Sequence, residues 1–416
     1  MWAKWIAKMQ TRLFNIAVLI LLTPVFFLVY IIKEPIVYYG SLNILSGINF
    51  FIGLFILVNF LLVVTTMLTF VERRLVARMQ NRIGPNRVGP FGILQGFADL
   101  IKLITKEDLV PTLANRTVFS LAPILIMAPV LLMFAVIPIL PGFTIADLDI
   151  GIFYVVAITS LGSLGVFAAG WASNSKYSLY GAVRGVAQLV SYEVPLVLSI
   201  CTIVLLAGSL NLNQITGAQE IPFILVQPLA FVIVLFSVAA ELYRTPFDLN
   251  EADSEIVAGF HTEYSGTKFA LIYGTEYLAA FGWSVVIAIL FLGRLEPGVG
   301  GFLILMAKTS IILFLFFWFR GTWPRVRIDQ ILAIAWKIMF PLATINIIVT
   351  GGAILLVQSL FNLKSGTPLG LQPLAIIAII NIVLFVVLLL VLPLIKGLGR
   401  FDDELKARGL EIKGGN

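Results

Sequence analysis

Long apolar runs separated by short polar segments dominate the chain. Ten windows of about 20 residues hold few or no charged side chains. A helix of about 20 apolar residues is long enough to cross the hydrocarbon core of a bilayer. The sequence therefore predicts an all-α polytopic membrane protein with about ten transmembrane helices. The windows cover residues 13–32, 48–70, 118–140, 151–171, 186–207, 221–240, 269–292, 301–319, 331–356 and 371–395.

The composition agrees with this class and excludes several kinds of site. Of the 416 residues, 60% are hydrophobic and 12% are charged, whereas soluble domains carry about 25% charged residues. Cys201 is the single cysteine and His261 the single histidine. The chain therefore has no disulfide framework and no Cys-x-x-Cys pair for zinc or an iron–sulfur cluster. We expect any redox centre to lie in a partner protein.

The basic residues are distributed unequally between the two predicted sides of the membrane. With ten spans both termini share one side, and 24 of the 28 lysines and arginines fall on that side or in its loops. Because positive loops stay in the cytoplasm, we expect both termini to be cytoplasmic. This topology also accounts for the net charge of +6, so no nucleic-acid partner is expected.

Residues 72–117 form the first long segment of the predicted cytoplasmic side, and its first part, residues 72–90, combines arginines with Gly-Pro turns. Residues 91–104 follow with apolar side chains at helical spacing, and they predict an amphipathic helix in the membrane interface. The arginines could simply contact lipid phosphates, and the helix could either float on lipid or cover an opening into the bilayer. The candidate residues of this region are Glu72, Arg73, Arg74, Arg78, Arg82, Arg87, Asp99 and Lys102.

Residues 241–268 form the second long cytoplasmic segment, which carries six carboxylates and two basic residues. One interpretation is a solvated acidic surface that binds a basic partner. The alternative is a proton relay, because crowding and partial burial move carboxylate pKa values towards neutrality. The six carboxylates are Glu241, Asp248, Glu251, Asp253, Glu255 and Glu263.

Three ionisable residues fall inside predicted spans: Glu193, Glu276 and Lys308. A charge at the centre of the bilayer costs at least about 2.5–3.5 kcal/mol, so such residues usually have a function. Glu276 and Lys308 could instead form a buried ion pair. Pro195 lies two residues after Glu193 and frees a backbone carbonyl that could hold a water molecule.

A fourth polar segment, residues 320–330, combines basic residues with Trp323 and precedes Trp336 and Lys337. Basic and aromatic residues at a membrane edge usually serve as anchors. Arg325 and Arg327 are the candidate functional residues of this segment.

Four motifs together resemble the H-subunit family of respiratory complex I, the NADH:quinone oxidoreductase, whose mitochondrial counterpart is NADH dehydrogenase subunit 1. The order and spacing of the motifs also fit, and the resemblance covers about residues 48–356. The acidic segment departs from the usual pattern at Leu242-Tyr243, at Asn250 and at Asp253, which stands where the family usually has glutamate. The motifs are residues 72–90, Ser191-Tyr192-Glu193, residues 247–249 with 263–266, and residues 324–330 with 336–338.

The resemblance implies a quinone chamber that opens between the helix ending at Glu72-Arg73-Arg74, the amphipathic helix and a later span. The arginines above, with Asp99 and Lys102, would shape this chamber and contact the peripheral arm. The six carboxylates of residues 241–268, with Glu193 and Glu276, would relay protons from the chamber into the membrane.

The resemblance also implies the organisation and the partners of the chain. Residues 48–356 would form an eight-helix family core, with one extra helix in residues 1–47 and another in 357–416. Quinone would be the substrate, nothing would be bound covalently, and the Fe–S clusters and flavin would lie in partner subunits. Small and antiporter-like membrane subunits would adjoin the chain in the bacterial cytoplasmic membrane.

Three alternatives remain open at this stage. A membrane-bound hydrogenase or a ferredoxin- or F420-linked complex uses a homologous subunit, and only its partners or its terminal acceptor would distinguish it. A free-standing cation/proton transporter would need broken helices near the bilayer midplane. A purely structural anchor is disfavoured by Glu193, Glu276 and Lys308.

Overall fold

A computed structural model describes residues 44–139, 146–249, 256–296, 298–362 and 370–407. Within these ranges the chain forms helices joined by turns and loops, without a strand. The predicted span at residues 13–32 and three of the acidic residues, Glu251, Asp253 and Glu255, lie outside the described residues.

The helices follow one another along the chain with short connections. A π-helical turn, Ala335–Met339, joins α11 to α12, and 3₁₀ turns occur at Pro90–Gly92 and Gly259–His261. The helices are α1 Ile44–Met79, α2 Gln95–Thr105, α3 Arg116–Met133, α4 Gly151–Ala172, α5 Lys176–Ala207, α6 Leu212–Gly217, α7 Phe223–Val226, α8 Pro228–Glu241, α9 Gly266–Phe291, α10 Val299–Thr322, α11 Ile328–Ile334, α12 Phe340–Phe361 and α13 Leu371–Ala407.

Seven helical segments of the described chain are long and apolar enough to cross a membrane. They are α3, α4, α5, α9, α10, the continuous stretch Ile328–Phe361, and Leu371–Val391 of α13. The predicted class of all-helical polytopic membrane protein is therefore confirmed. The total of about ten spans stays a prediction, and α1 covers the window at residues 48–70 as one helix.

The window at residues 221–240 was expected to be one helix, and this expectation is wrong. The chain forms α7 and α8 instead, with Gln227 at φ −132° and ψ 61° between them. Pro228 follows and has no N–H to donate to the preceding turn, so the helix breaks there. The buried Gln227 side chain donates to Thr350 Oγ1 at 2.8 Å, so its amide is satisfied inside the protein.

The helix in the window at residues 118–140 ends at Met133, earlier than the apolar pattern suggests. Phe134 N and Ala135 N donate to the carbonyls three residues earlier, at 3.1 and 3.0 Å. Such i→i−3 bonds tighten the end of a helix, and Pro138 follows shortly after.

α9 is the central helix of the bundle. Its apolar window is 83% buried, compared with 22% in α13. A helix that is apolar all round is expected in a protein interior, and α9 packs against α1, α2, α3 and α10. Apolar side chains such as Leu303 and Leu360 remain exposed on the outer helices, as expected for a surface that faces lipid.

The predicted amphipathic helix exists as α2 and packs closely on α1. A Cβ atom added at Gly96 would lie 2.4 Å from the carbonyl oxygen of Thr66. Only glycine permits this approach of two backbones. That α2 lies in the membrane interface stays a prediction.

Candidate functional site

A buried carboxylate, Glu72 near the end of α1, binds two arginines from distant parts of the chain. Arg244 Nη1 lies 2.9 Å from both carboxylate oxygens, and Arg320 Nη1 lies 2.6 Å from Oε1. The guanidinium of Arg244 also stacks over the ring of Tyr277, 4.7 Å from its centroid. This charged cluster joins α1, α9, α10 and the start of the acidic segment.

The acidic segment is also tied to the fourth polar segment. Arg325 Nη2 lies 3.1 Å from Oδ2 of the buried Asp248, and the amide of Val326 donates to the carbonyl of Pro246 at 3.0 Å. The second of the two candidate arginines, Arg327, is exposed and lies 3.5 Å from Asp329. Residues 320–330 are therefore more than a membrane anchor, because they hold the acidic segment in place.

Charges also link α2 to the end of α1. Arg73 pairs with Asp99, which lies 3.6 Å from Lys102 and accepts a 3.1 Å hydrogen bond from Gln95. Arg74 Nη1 donates to the carbonyl of Phe91 at 3.1 Å. These contacts hold α2 across the C-terminal end of α1.

An open polar cleft of about 450 Å³ lies beside this junction. Arg74, Arg78 and Arg82 line the cleft together with the loop at residues 83–86. Arg87 follows on the exposed surface of the same loop. The candidate arginines therefore form one basic surface around the end of α1.

An apolar cavity of about 460 Å³ lies below α2, between α1, α3 and α9. This volume falls in the usual range for small-molecule sites, about 300–1,000 Å³. The cavity is bordered by the helix that ends at the arginine motif, by the amphipathic helix and by two later helices. Its lining includes Leu61, Thr65, Leu100, Met127, Gly274 and Leu278.

Two smaller cavities inside the bundle contain carboxylates. Glu193 and Glu241 line one of about 20 Å³, and Glu241 and Glu276 line the other, of about 80 Å³. Ser160 Oγ donates to Glu193, and Thr159 lines both cavities. The structure therefore brings three candidate relay carboxylates together around hydroxyl side chains.

The end of the acidic segment is anchored to the loop after α2. Lys268 Nζ lies 3.1 Å from Asp108 and 5.0 Å from the centroid of the Phe119 ring. Tyr264 stacks on the same phenyl ring with centroids 4.1 Å apart, and burial raises the pKa of its hydroxyl. Glu263 is partly buried just before this anchor.

Lys308 lies apart from these carboxylate cavities. Its Nζ donates to the carbonyls of Gly293 and Arg294, each at 3.2 Å, just beyond the end of α9. Both carbonyls lie beyond the helix, whose C-cap is Leu292. We therefore interpret Lys308 as a link between α10 and the loop after α9.

Several contacts of the site were missed by sequence reasoning. Arg244 and Arg320 pair with Glu72, Tyr277 lies against Arg244, and Lys268 pairs with Asp108. The sequence did contain a signal for two of these ion pairs. Arg244 and Lys268 are the two basic residues of a segment, residues 241–268, that carries six carboxylates. Their partners could not be identified from sequence because they are far away along the chain.

The architecture defines an all-helical polytopic membrane protein with an apolar cavity and carboxylate-lined cavities inside one helix bundle. A family model described as NADH dehydrogenase matches residues 51–351, and the chain belongs to this family.

Curated relatives carry a more specific name. The chain is 49% identical over 310 residues to the H subunit of NADH-quinone oxidoreductase from Dehalococcoides mccartyi strain CBDB1, covering 74% of this chain and 88% of the relative. It is 46% identical over 326 residues to the protein of the same name from Bacillus thuringiensis strain Al Hakam, covering 76% and 97%.

Proposed function

We propose that this chain is the membrane subunit of a proton-pumping NADH:quinone oxidoreductase that forms the quinone-access chamber and couples quinone reduction to proton translocation. Family membership and relatives of this name support the proposal. The quinone is the substrate, and flavin and Fe–S clusters belong to partner subunits.

The observation that carries the proposal is a wall shared by two kinds of cavity. On α9, Gly274 and Leu278 line the apolar cavity, whereas Glu276 and Trp283 line the larger carboxylate cavity. Helix α3 also lines both cavities, and its Met127 lines the apolar one. A single layer of helices thus separates a site for an apolar molecule from ionisable groups.

This spacing is short enough for electrostatic coupling. A helix with its side chains is about 10–12 Å across, and a unit charge at that distance contributes about 1.5 kcal/mol at an effective dielectric constant near 20. That energy corresponds to about a tenfold change in a protonation equilibrium. Charge that appears on a quinone during its two-electron, two-proton reduction can therefore change the protonation of carboxylates behind the wall.

The residues divide into two groups under this proposal. The apolar cavity takes the quinone tail, while the basic surface around the end of α1 guides the head group and contacts the peripheral arm. The carboxylates relay protons, and Arg325 holds Asp248 in the relay. The relay group is Glu193, Glu241, Asp248, Glu251, Asp253, Glu255, Glu263 and Glu276, of which Glu251, Asp253 and Glu255 lie outside the described residues.

The proposal also includes the partner subunits of the chain and its orientation in the membrane. Peripheral-arm Fe–S subunits cover the basic surface, and small and antiporter-like membrane subunits adjoin the bundle. The chain lies in the bacterial cytoplasmic membrane with both termini in the cytoplasm, as the distribution of basic residues indicates. Residues 48–356 are the core, and α13 is an additional helix beyond the matched range.

Filling the apolar cavity tests the quinone assignment. A Cβ atom at Gly274 would meet only Thr65 Cγ2, at 3.8 Å, so a larger side chain extends into the cavity. We expect Gly274→Leu to raise the KM for quinone at least about tenfold, since the loss of about 1.4 kcal/mol of binding energy gives a factor of ten. Quinone-reductase activity of membrane vesicles measures this effect.

Gly352→Leu is the matched control, because Gly352 is also a helical glycine with open space around it. It lies in α12, outside the lining of the apolar cavity. An unchanged quinone KM in Gly274→Leu, or equal effects of the two substitutions, would contradict the quinone assignment.

A further inference from the structure

A buried glutamine of α5, Gln188, binds both ends of residues 240–247, the stretch with which the acidic segment begins. Gln188 is 1% exposed. Its Nε2 donates to the carbonyl of Ala240 at 2.7 Å and to that of Phe247 at 2.9 Å. Each carbonyl belongs to the residue directly before a carboxylate, Glu241 in one case and Asp248 in the other.

The two hydrogen bonds fix the distance across a folded stretch of backbone. Residues 240–247 turn back on themselves, with the amide of Phe247 donating to the carbonyl of Arg244 at 2.8 Å. The amide of Val326 also binds this stretch, because it donates to the carbonyl of Pro246. A side chain that bridges the two ends of such a turn determines how far apart the flanking residues lie.

Other contacts of α5 hold Gln188 itself in place. Tyr192, one turn later, packs its ring on Phe247 with centroids 5.1 Å apart and donates to the carbonyl of Ile331 at 3.0 Å. Ser191 accepts a 3.2 Å hydrogen bond from Trp336. Glu193 lies on a neighbouring face of α5 with Leu189 and Leu196, and it shares a cavity with Glu241.

We propose that Gln188 is a positioning residue for proton coupling: it sets the placement of Glu241 relative to Asp248. This inference rests on the proposed function, because it assigns the two carboxylates to the relay. Gln188 itself exchanges no proton and contacts no substrate. Proton transfer requires donor and acceptor within hydrogen-bond reach, and a misplacement of about 1 Å can slow a reaction about a hundredfold.

The chain contains a closely matched control in Gln219. This glutamine is also buried, at 3% exposure, and its Nε2 also donates to two backbone carbonyls, those of Ile289 at 2.7 Å and Leu290 at 3.1 Å. It lies at the opposite end of α9 from the acidic segment. Gln188→Met and Gln219→Met each remove two hydrogen bonds to backbone carbonyls, and Gln219→Met also removes the 2.7 Å bond that its Oε1 accepts from Gly293 N. Only Gln188 lies beside the relay.

The test measures both variants in membrane vesicles that contain the complete complex. We expect both to assemble, with Gln188→Met alone lowering the kcat of NADH:quinone reduction at least about tenfold. The quinone KM and NADH oxidation by a water-soluble artificial acceptor should stay unchanged, because neither the chamber nor the peripheral arm is altered. Protons translocated per electron should fall in the same variant.

Gln188→Glu separates positioning from packing. It keeps the shape of the side chain but removes both N–H donors, so we expect the same loss of kcat as in Gln188→Met. Equal kinetics of Gln188→Met and Gln219→Met would overturn the proposal. Loss of the assembled complex in both Gln188 variants would also overturn it, by giving Gln188 a purely structural role.

The outcome also separates this inference from the proposed function. If the proposed function fails, deletion of the chain leaves NADH:quinone reduction in the vesicles intact. If only the role of Gln188 fails, that activity depends on the chain but is insensitive to Gln188→Met.

Discussion

Glu72 is a buried carboxylate that binds two arginines from distant parts of the chain. Arg244 is buried with it and has lost its hydration, whereas the side chain of Arg320 is 31% exposed. Buried ion pairs contribute little net stability compared with apolar packing, but removing one partner leaves an uncompensated charge. The cluster therefore fixes the arrangement of α1, α10 and the acidic segment.

We predict that Glu72→Gln strongly reduces the stability of the assembled protein. The neutral amide leaves Arg244 and Arg320 without their carboxylate, and breaking a buried pair costs about 3–5 kcal/mol. The amount of intact complex that survives stepwise heating of the vesicles measures this loss. Asp329→Asn is the control, because the pair of Asp329 with Arg327 is exposed and such pairs contribute about 0–1 kcal/mol. Equal thermal stability of the two variants would contradict the prediction.

A second prediction concerns Glu241, the carboxylate that lines both small cavities. Glu241→Gln keeps the shape of the side chain but removes its ability to exchange a proton. Because a positioned acid–base group contributes about 10²–10⁴-fold to rate, we expect coupled quinone reduction to fall at least about a hundredfold while the complex still assembles. Steady-state turnover and vesicle acidification measure the effect. We expect Glu251→Gln to lower coupled quinone reduction in the same way.

Glu220→Gln is the control for this prediction. Glu220 is an exposed carboxylate between α6 and α7, outside the lining of both carboxylate cavities. Wild-type coupled turnover in Glu241→Gln would remove Glu241 from the relay.

At the scale of helices, apolar windows are reliable guides to spans but poor guides to their ends and interruptions. Seven segments of the described chain are confirmed as long apolar helices. The break at Gln227 was missed because its neighbours are apolar and Pro228 is also compatible with the first turn of a new helix. The polar partner that stabilises the break, Thr350, lies on another helix.

For the site, the sequence predicted the candidate residues but not how they pair. Carboxylates and arginines stand out in an apolar sequence, so the candidates could be selected from composition and spacing. The pairing of Glu72 with Arg244 and of Asp248 with Arg325 depends on helix packing. The sequence does not identify an uncharged positioning residue such as Gln188. Its proposed role depends on two backbone carbonyls that approach it only in the folded chain.

The packing of α2 on α1 gives a prediction at this scale. In Gly96→Ala the new methyl group meets the carbonyl oxygen of Thr66 at 2.4 Å, and such overpacking costs about 1–3 kcal/mol unless the helices separate. We expect α2 to shift over the apolar cavity and the quinone KM to rise several-fold. Vesicle kinetics measure this change against Gly300→Ala in α10, where a Cβ atom meets nothing within 4 Å. Identical quinone KM values in the two variants would refute the predicted role of α2.

At the scale of the whole molecule, the distribution of charge indicates how the chain meets its neighbours. The basic surface around the end of α1 and the carboxylates of the acidic segment adjoin one end of the helix bundle. The outer faces of helices such as α10 and α12 are apolar. A protein with this asymmetry fits an assembly in which a water-soluble arm covers one end and membrane subunits flank the sides.

The last prediction tests that assembly directly. The chain is tagged, extracted from its own membranes in mild detergent, and everything that co-purifies is identified by mass spectrometry. We expect Fe–S subunits and antiporter-like membrane subunits, because the proposed function requires an electron-donating arm and neighbours that translocate protons. A nickel–iron subunit in their place would assign the chain to a membrane-bound hydrogenase, since a homologous subunit serves there. If the chain purifies alone and intact, the transporter alternative gains support, and the quinone and relay assignments fall together because both depend on an electron-donating arm.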